Sequence, residues 1–309
     1  MSHLLRAQLL KNRYSKKQAS KLRLEERGKM TNPGNDYLVS LFGLSGKVAV
    51  VTGGGGALMG TISRGLGRLG LRVAVLDIIP EMAQKVADGI VEAGGEAAAV
   101  KCDVLDRTSV ETACRDVLER FGRVDFLING AGGNKKQATT GADLTFFDLP
   151  PDAVQWVFNL NFIGTLLPSQ VFGRVIAERG EGVILNISSM NAFRPLTKIP
   201  AYSAAKAAVS NFTQWLAVHF SQEYSKKIRV NAIAPGFFLT HQNRFLLADE
   251  ATGEPTPRGK TVTEHTPMGR FGDPKDLVST VVWLLSPGAA FVHGVVIPVD
   301  GGFSAFSGV

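Results

Sequence analysis

Tyr202 and Lys206 are the residues of this 309-residue chain whose types and spacing point most directly to proton chemistry. They lie four residues apart in the segment PAYSAAKAAVSNF, whose composition predicts a helix with both side chains on one face. An ammonium group beside a phenol stabilises the phenolate and lowers the tyrosine pKa, so the phenol can act as an acid or base. The alternative is a solvated helix surface, on which Tyr and Lys are common at this spacing.

Two further polar residues are candidates for the same reaction. Ser189 ends the segment VILNISS, thirteen residues before Tyr202, and its hydroxyl could hold a substrate oxygen. Asn161, in the segment NLNFIGT, could anchor a water that relays protons to Lys206. A serine at the end of a strand often only caps a neighbouring element, so a structural explanation stays open for it.

A glycine-rich segment provides a second kind of candidate site. It joins a predicted strand, Val48–Thr52, to a predicted helix, and it begins with four successive glycines from Gly53. Glycines let the backbone approach a pyrophosphate, whose negative charge is stabilised by the helix N-terminus. The alternative is a tight strand-to-helix turn without a ligand.

Asp77 ends the next predicted strand, 25 residues after Thr52. That is near the spacing expected of a carboxylate that accepts hydrogen bonds from a ribose and repels a 2′-phosphate. Residues 53–60 contain no Lys or Arg to attract such a phosphate, so NAD is favoured over NADP. The alternative is an Asp that caps the helix predicted to start at Pro80.

The elements that must position these residues alternate from Lys47 onwards between short apolar runs and longer helical patterns, which is typical of parallel sheets. Runs such as VAVVT and VAVLD are apolar on both faces, as expected of strands covered on both sides. We therefore predict an α/β fold with a single Rossmann-type doubly wound parallel sheet and helices on both faces. The predicted strands are Val48–Thr52, Arg72–Asp77, Glu96–Cys102, Val124–Asn129, Val183–Ser188, Ile228–Ile233 and Val295–Val299.

Charge and composition divide the chain into a basic extension, residues 1–36, and a cofactor-binding domain, residues 37–309. Residues 1–30 contain nine Lys or Arg against two Glu, which accounts for the whole net charge of +7. The rest of the chain is neutral, so no nucleic-acid partner is expected of it. Residues 237–270 are rich in Thr, Pro and Gly and weakly periodic, and we predict that they form a substrate lid.

Composition also argues against membrane insertion and metal binding. No stretch approaches the roughly 20 apolar residues that a membrane span requires. Cys102 and Cys114 are too few for a disulfide framework and lack metal-ligand spacing. Both are expected to be buried, and a reducing cytoplasm is the expected compartment.

This set of motifs resembles the short-chain dehydrogenase/reductase family, from about Leu44 to the C-terminus. The resemblance rests on the turn beginning Thr52-Gly53, on Asp77, Cys102-Asp103-Val104, Asn129-Gly130-Ala131-Gly132, Asn161, Ser189, Tyr202 with Lys206, Pro235-Gly236 with Thr240, and Asp300-Gly301-Gly302. Chance would not assemble so many motifs in this order.

The resemblance implies roles for individual residues. Asn161, Ser189, Tyr202 and Lys206 would form the catalytic tetrad of the family. The implied cofactor-binding residues are Thr52, Gly53, Gly55, Met59, Asp77, Asp103, Val104, Asn129, Ala131, Gly132, Tyr202, Lys206, Pro235, Gly236 and Thr240. Asp103 and Val104 would flank the adenine, and Thr240 would touch the nicotinamide carboxamide. A homo-oligomer, tetramer or dimer, is also implied.

The sequence departs from the family pattern at two places. The family turn has the form Thr-Gly-x-x-x-Gly-x-Gly, and its last two glycines fall here on Ala57 and Met59. Met59 would place a long side chain near the pyrophosphate or at the helix–strand contact, and Gly60 could shift the turn and restore the approach. The second departure is Gly130, where family members often carry Asn.

A closer resemblance is to a subgroup of this family, the D-mannonate oxidoreductases or fructuronate reductases. It is carried by NGAGGNKKQATT, NFIGTLLPSQVFG, SSMNAFRPLTKIPAYSAAKAAVSNFTQWLAVHF and PVDGGFSAFSGV. The residues suit a sugar acid, because Arg can grip a carboxylate bidentately whereas a steroid or acyl chain needs an apolar site. The candidate substrate-binding residues are Asn191, Arg194, Lys198 and His241, and solvated loop positions are the alternative for each.

The function expected from these observations is an NAD-dependent oxidoreductase acting on CH–OH groups. Its predicted substrates are D-fructuronate and D-mannonate. One alternative is a dehydrogenase of the same family that acts on another polyol or a 3-oxoacyl substrate. A second is a non-catalytic, NAD-sensing scaffold on the same fold, against which the complete tetrad argues.

Overall fold

The computed structural model describes residues 33–240, 247–249 and 252–308. Helix α1 (Pro33–Phe42) lies in a compact unit that ends at Gly43, and the remaining described elements belong to a second unit that begins at Leu44. The predicted boundary between residues 36 and 37 therefore falls inside α1, whereas the boundary between the two units follows Gly43.

The second unit is built on a parallel sheet with the strand order β3-β2-β1-β4-β5-β6-β7. Its strands are β1 (Val48–Thr52), β2 (Arg72–Asp77), β3 (Glu96–Lys101), β4 (Phe126–Asn129), β5 (Gly182–Ile187), β6 (Ile228–Pro235) and β7 (Val296–Val299). The predicted fold class is confirmed. Strand β6 runs two residues beyond the predicted Ile233 because Ala234 and Pro235 pair with β7.

Helices pack on both faces of this sheet. The helices of this unit are α2 (Ala57–Arg68), α3 (Pro80–Glu92), α4 (Arg107–Phe121), α5 (Pro151–Phe158), α6 (Gly164–Arg179), α7 (Pro200–Glu223), α8 (Pro257–Glu264) and α9 (Asp276–Leu285). Alternate residues of a strand point to opposite faces, so Ala49 and Val51 of β1 join the core under α2, α3 and α9. Val48 and Val50 join the core under α4, α6 and α7.

The direction in which the strand order grows changes between β1 and β4. The chain builds β1, β2 and β3 in one direction and then returns to place β4 on the other side of β1. In open parallel sheets, a crevice outside the carboxyl ends of the strands forms at such a switch point, and ligands bind there. Both glycine-rich turns, after β1 and after β4, lie at this position.

The opposite, amino-terminal end of the sheet is held by Asp125, which immediately precedes β4. Its Oδ2 accepts a hydrogen bond of 2.8 Å from the Val48 N–H, which ties β4 to the start of β1. Its Oδ1 forms ion pairs with Arg123 and Arg179, each at 2.5 Å, and with Lys47 at 3.6 Å. This buried carboxylate is therefore a structural group far from the switch point.

Both cysteines are buried, as predicted, and neither forms a disulfide. Burial raises the pKa of Cys102 to about 12 and that of Cys114 to about 11, so both thiols stay protonated. Among the described residues, no helix is long and apolar enough to cross a membrane. Within the same residues, no cluster of His, Cys, Asp and Glu could hold a metal ion.

Candidate active site

Ser189 and Tyr202 meet beyond the carboxyl end of β5. Ser189 follows the strand in an extended conformation and accepts a hydrogen bond from the Asn191 N–H, which starts a short 3₁₀ turn. Tyr202 is in the first turn of α7, where Pro200 favours the start of a helix. The Ser189 hydroxyl is hydrogen-bonded to the Tyr202 phenol.

Lys206 lies one helical turn after Tyr202 and is almost completely buried. Its Nζ donates a hydrogen bond of 2.8 Å to the Ile187 carbonyl oxygen and lies 5.6 Å from the centre of the Tyr202 ring. One face of α7 therefore presents both side chains to the end of β5. This is the arrangement predicted from their four-residue spacing.

Asn161 lies in a single π-helical turn, Asn159–Ile163, between α5 and α6. Such turns are rare and often occur at functional sites. Its Nδ2 donates to the carbonyl oxygens of Gly133 and Val157, at 2.7 and 2.8 Å, and its Oδ1 accepts from the Gly133 N–H. The side chain therefore fixes the turn after β4, and one lone pair of Oδ1 is left for a water.

Gly132 shows how closely these groups converge. A Cβ atom added there would lie 2.6 Å from the Asn161 Oδ1 and 3.3 Å from the Lys206 Nζ. The structure thus brings all four predicted tetrad residues to one place, beside the turn after β4.

Burial dominates the electrostatics of this site. It raises the pKa of the Tyr202 phenol above its ordinary value, and the hydrogen bond with Ser189 offsets only part of that rise. Burial also lowers the pKa of the Lys206 ammonium to about 8. The net shift of the Tyr202 pKa is therefore upward, opposite to the direction expected from the Lys206 ammonium alone.

The two glycine-rich turns form one continuous surface. The Thr52 Oγ1 accepts hydrogen bonds from the N–H groups of Gly130 and Ala131, at 3.1 and 3.2 Å. Gly53 has a left-handed φ of 63°, and a Cβ there would lie 2.8 Å from the Ala131 Cα. Only glycine permits this approach, and the open backbone beside the α2 N-terminus fits a pyrophosphate.

Asp77 contacts this surface from the end of β2. Its Oδ2 accepts from the Gly55 N–H and its Oδ1 from the Ile79 N–H, both at 3.0 Å. The carboxylate therefore orders the glycine turn and the residue before α3, and it keeps lone pairs for ribose hydroxyls. Asp103 follows Cys102 directly after β3. Both Asp103 and Asp77 lie close enough to Cys102 to raise the pKa of its thiol.

The other predicted cofactor residues lie at the same end of the sheet. Val104 packs near Gly164 at the start of α6, and Asn129 is buried at the end of β4. Pro235 ends β6, and the next residue, Gly236, lies so close to Asp300 that an added Cβ would be 2.6 Å from the Asp300 Cβ. Thr240 is half-buried a few residues further on.

The substrate candidates that the structure describes surround the segment between Ser189 and Tyr202. Asn191 is buried beside Ser189, whereas Arg194 and Lys198 are exposed. Lys198 has a left-handed φ of 75°, which is uncommon for a residue with a side chain and is often found at functional sites. His241 lies outside the described residues.

Two supports of this segment were not predicted from the sequence. The Lys198 carbonyl oxygen accepts a hydrogen bond from the Thr140 N–H, and the Arg194 Nε donates to the Ser304 carbonyl oxygen at 3.2 Å. Ser304 is held in turn by Asp300, which accepts its N–H at 2.9 Å. The motif Asp300-Gly301-Gly302 marks a turn in the sequence, but nothing in it indicates contact with Arg194.

Comparisons with known proteins extend over the same unit. A protein-family model described as Enoyl-(Acyl carrier protein) reductase matches residues 60–304. The oxidoreductase UxuB of Bacillus subtilis, itself uncharacterized, is 49% identical over 275 residues, which cover 86% of this chain and 98% of that protein. From Escherichia coli K12, 7alpha-hydroxysteroid dehydrogenase is 31% identical and 5-keto-D-gluconate 5-reductase 30% identical. These two matches cover 84% and 85% of this chain, and 94% and 97% of the relatives.

A solved structure is also similar. It is a provisionally assigned D-mannonate oxidoreductase from Haemophilus influenza, crystallised with bound NAD. It is 48% identical to this chain, superposes with a TM-score of 0.80, and covers 86% of this chain and 98% of its own.

Proposed function

The chain belongs to the short-chain dehydrogenase/reductase family, and on that premise we propose that it interconverts a keto sugar acid and its hydroxy acid with NAD. That it is an NAD(P)-dependent oxidoreductase acting on CH–OH groups follows from the family and its dehydrogenase relatives. The proposed substrates are D-fructuronate in reduction and D-mannonate in oxidation. The convergence of Ser189, Tyr202 and Lys206 beside the glycine-rich turns carries the proposal.

The proposed roles follow from the contacts of each side chain. The reduced nicotinamide supplies a hydride to the keto carbon when it is bound. The Ser189 hydroxyl donates a hydrogen bond to the carbonyl oxygen, which becomes more negative as the hydride arrives. The Tyr202 phenol then gives its proton to that oxygen. Its raised pKa keeps the phenol protonated at neutral pH, as an acid must be.

Lys206 and Asn161 support this proton transfer. The proton lost by Tyr202 must be replaced, and the Lys206 pKa of about 8 lies near the pH at which such exchange is easy. The proposed water at the free lone pair of the Asn161 Oδ1 would link Lys206 to solvent. Asn161 also holds the Gly133 backbone, so it positions the turn on which the cofactor would rest.

Asp77 supports NAD rather than NADP. Its carboxylate accepts hydrogen bonds from the Gly55 and Ile79 N–H groups. This places the charge where the adenosine ribose is expected. A 2′-phosphate there would meet a like charge. The bound NAD in the relative from Haemophilus influenza agrees with this preference.

The sugar-acid assignment rests on the polar segment between Ser189 and Tyr202. Arg194 can pair its two terminal nitrogens with a carboxylate, because the only hydrogen bond of its side chain to a described residue is the one from Nε to Ser304. Asn191 beside Ser189 and the exposed Lys198 offer hydrogen bonds to hydroxyls. A keto sugar acid reductase among the relatives, 5-keto-D-gluconate 5-reductase, supports the substrate class.

The first test is turnover of D-fructuronate by the purified protein with NADH, followed by absorbance. We expect rapid oxidation of NADH, weak oxidation of NADPH, and a loss of about a hundredfold or more in kcat for Tyr202→Phe. Tyr37→Phe, which removes a hydroxyl from α1, is the matched control and should keep full activity. NADH binding without turnover of fructuronate would overturn the sugar-acid assignment and leave the dehydrogenase.

The same assay separates the alternatives. Turnover of another polyol or of a 3-oxoacyl thioester in preference to fructuronate would assign one of those substrate classes instead. A protein that binds NADH but turns over none of these substrates would be an NAD sensor. Arg194→Ala should raise KM for fructuronate about tenfold and leave KM for an uncharged polyol unchanged.

We also propose a homo-oligomer that forms through α6 and α7. A groove of about 790 Å³ between these helices is lined by apolar and aromatic side chains, including the exposed Trp215. Arg174 and Glu178 lie four residues apart beside it, so a two-fold partner could pair each charge with its opposite. Trp215→Glu should lower the mass measured by sedimentation to that of a monomer, and an unchanged mass would contradict this interface.

For the location in the cell we propose the cytoplasm. The support is the pair of buried cysteines, which remain as free thiols.

A further inference from the structure

The turn after β1 and the turn after β4 contact each other at the switch point, and the Met59 side chain of α2 packs on this contact. The turn after β1 and the turn after β4 are held together by the Thr52 hydroxyl and by the close approach of Gly53. Met59, the third residue of α2, is buried beside them with 4% of its surface exposed. It is one of the two positions at which the chain departs from the family turn.

Met59 occupies the space above Gly130. A Cβ atom added at Gly130 would overlap the Met59 Sδ and Cγ atoms, and would also lie 2.9 Å from the Thr52 carbonyl oxygen. A larger side chain at position 130 therefore cannot coexist with the present position of Met59. The two departures from the family pattern, Met59 and Gly130, are therefore in contact with each other.

Met59 also belongs to the part of α2 that would bind the pyrophosphate. Gly56 caps this helix, and the Gly60 N–H donates to the Gly56 carbonyl oxygen at 2.7 Å. The free N–H groups of the first turn attract anions, so the position of this turn sets the geometry of the phosphate site. The Met59 side chain therefore links this first turn to the turn after β4.

We propose that Met59 and Gly130 are a matched pair that positions the first turn of α2 over the turn after β4, and thereby sets the affinity for the dinucleotide. The Met59 side chain packs on the turn after β4, and it has room to do so because Gly130 has no side chain. Met59 is a positioning residue in this proposal. The proposal concerns NADH binding and does not depend on the identity of the substrate.

The test is a double-mutant cycle with Met59→Gly, Gly130→Asn and the combination of both. The dissociation constant of NADH is measured by fluorescence titration, and the thermal midpoint is measured without cofactor. We expect Gly130→Asn to weaken NADH binding about tenfold or more, because the Asn side chain must displace Met59 and with it the turn. Met59→Gly should weaken binding less. The double variant should bind NADH at least about threefold more tightly than Gly130→Asn alone, with recovery left incomplete by the Thr52 carbonyl oxygen.

A matched control separates this coupling from general loosening of the helix. Leu58 precedes Met59 and packs into the core beneath α2, so Leu58→Gly weakens the same turn without making room at position 130. Leu58→Gly combined with Gly130→Asn should not recover NADH affinity. Gly130→Ala replaces Gly130→Asn in the cycle if the Asn variants do not fold.

Two outcomes would overturn the proposal. One is a double variant whose loss of NADH affinity equals the product of the two single losses, because the positions would then act independently. The other is a set of variants whose thermal midpoints fall while their NADH dissociation constants match the wild type. The pair would then have a structural role alone.

Discussion

Burial shifts the pKa values of Tyr202 and Lys206 in opposite directions, and these shifts suit the two side chains to proton transfer. Burial favours the neutral form of both titratable side chains, so it raises the pKa of Tyr202 and lowers the pKa of Lys206 to about 8. A phenol that keeps its proton is ready to act as an acid. In the proposed mechanism this phenol is the acid of the reduction, and oxidation requires that the phenol first lose its proton.

This charge state predicts opposite pH dependence for the two directions of the reaction. Raising the pH removes the Tyr202 proton, so kcat/KM for reduction should be flat near neutral pH and fall in alkaline solution. kcat/KM for oxidation should rise over the same range. Initial rates in both directions from about pH 6 to about pH 10 test this. A reduction rate that already falls between about pH 6 and about pH 7 would contradict it.

The segments that carry these side chains are positioned by contacts between distant parts of the chain. Asn161 lies in a π-helical turn and holds the backbone of Gly133, 28 residues earlier. Arg194 is held by the carbonyl oxygen of Ser304, 110 residues later. The segment between Ser189 and Tyr202 is thus supported by the C-terminal turn, which Asp300 organises through the N–H groups of Gly302 and Ser304.

The C-terminal turn should therefore influence substrate affinity. Asp300→Ala removes the two hydrogen bonds that the Asp300 side chain accepts in the turn, so Ser304 should hold Arg194 less firmly. We expect KM for D-fructuronate to rise about fivefold, as for a weakened charge-assisted contact, with kcat changed less than twofold. Steady-state kinetics, together with the NADH dissociation constant, measures both effects.

The control for this prediction is Asp273→Ala. Asp273 accepts the N–H of Lys275 in a similar turn before α9, and among the described residues it forms no hydrogen bond with Arg194 or Ser304. This variant should keep the wild-type KM. An equal rise of KM in both variants, or a loss of NADH affinity in Asp300→Ala, would show that the turn does not act through Arg194.

In the second unit, the candidate active site and the ion cluster around Asp125 lie at opposite ends of the sheet. The four predicted tetrad residues and both glycine turns lie at the carboxyl ends of the strands, whereas Asp125 lies at the amino-terminal end with three cationic partners. Burial by itself would raise the Asp125 pKa. The hydrogen bonds from Val48, Arg123 and Arg179 outweigh it, so the pKa lies below its ordinary value.

A depressed carboxylate pKa predicts a pH-dependent contribution to stability. The contribution is complete above the unfolded-state pKa of about 3.9 and is lost as the pH falls through the lower folded-state value. Asp125→Asn should therefore lower the free energy of unfolding by about 2 kcal/mol at neutral pH, because it removes the charge but keeps an acceptor for Val48. Urea denaturation measures this difference, which should shrink below about pH 4.

The control for this effect is Asp276→Asn. Asp276 pairs with Arg270 at the surface, where the interaction is screened by solvent, so its removal should leave the urea midpoint nearly unchanged. Asp125→Asn should leave NADH affinity and kcat at wild-type values. A midpoint for Asp125→Asn equal to that of the wild type would contradict the structural role of this cluster.

Local pattern was sufficient for the α/β fold and for the placement of Tyr202 and Lys206 on one helix face. Apolar runs of strand length between helical segments predicted the sheet, because a buried parallel strand is apolar on both faces whatever its neighbours are. The four-residue spacing of Tyr202 and Lys206 placed both on one face of α7, because side chains four residues apart lie on the same face of any α-helix.

The tertiary structure alone decided the pKa shift of Tyr202, the contact of Arg194 with Ser304 and the pairing of Met59 with Gly130. Burial depends on every element that covers a group, and so the ammonium four residues away did not predict the direction of the Tyr202 shift. The other two contacts join residues 110 and 71 positions apart. Close packing brings such residues into contact only after the sheet and its helices have formed.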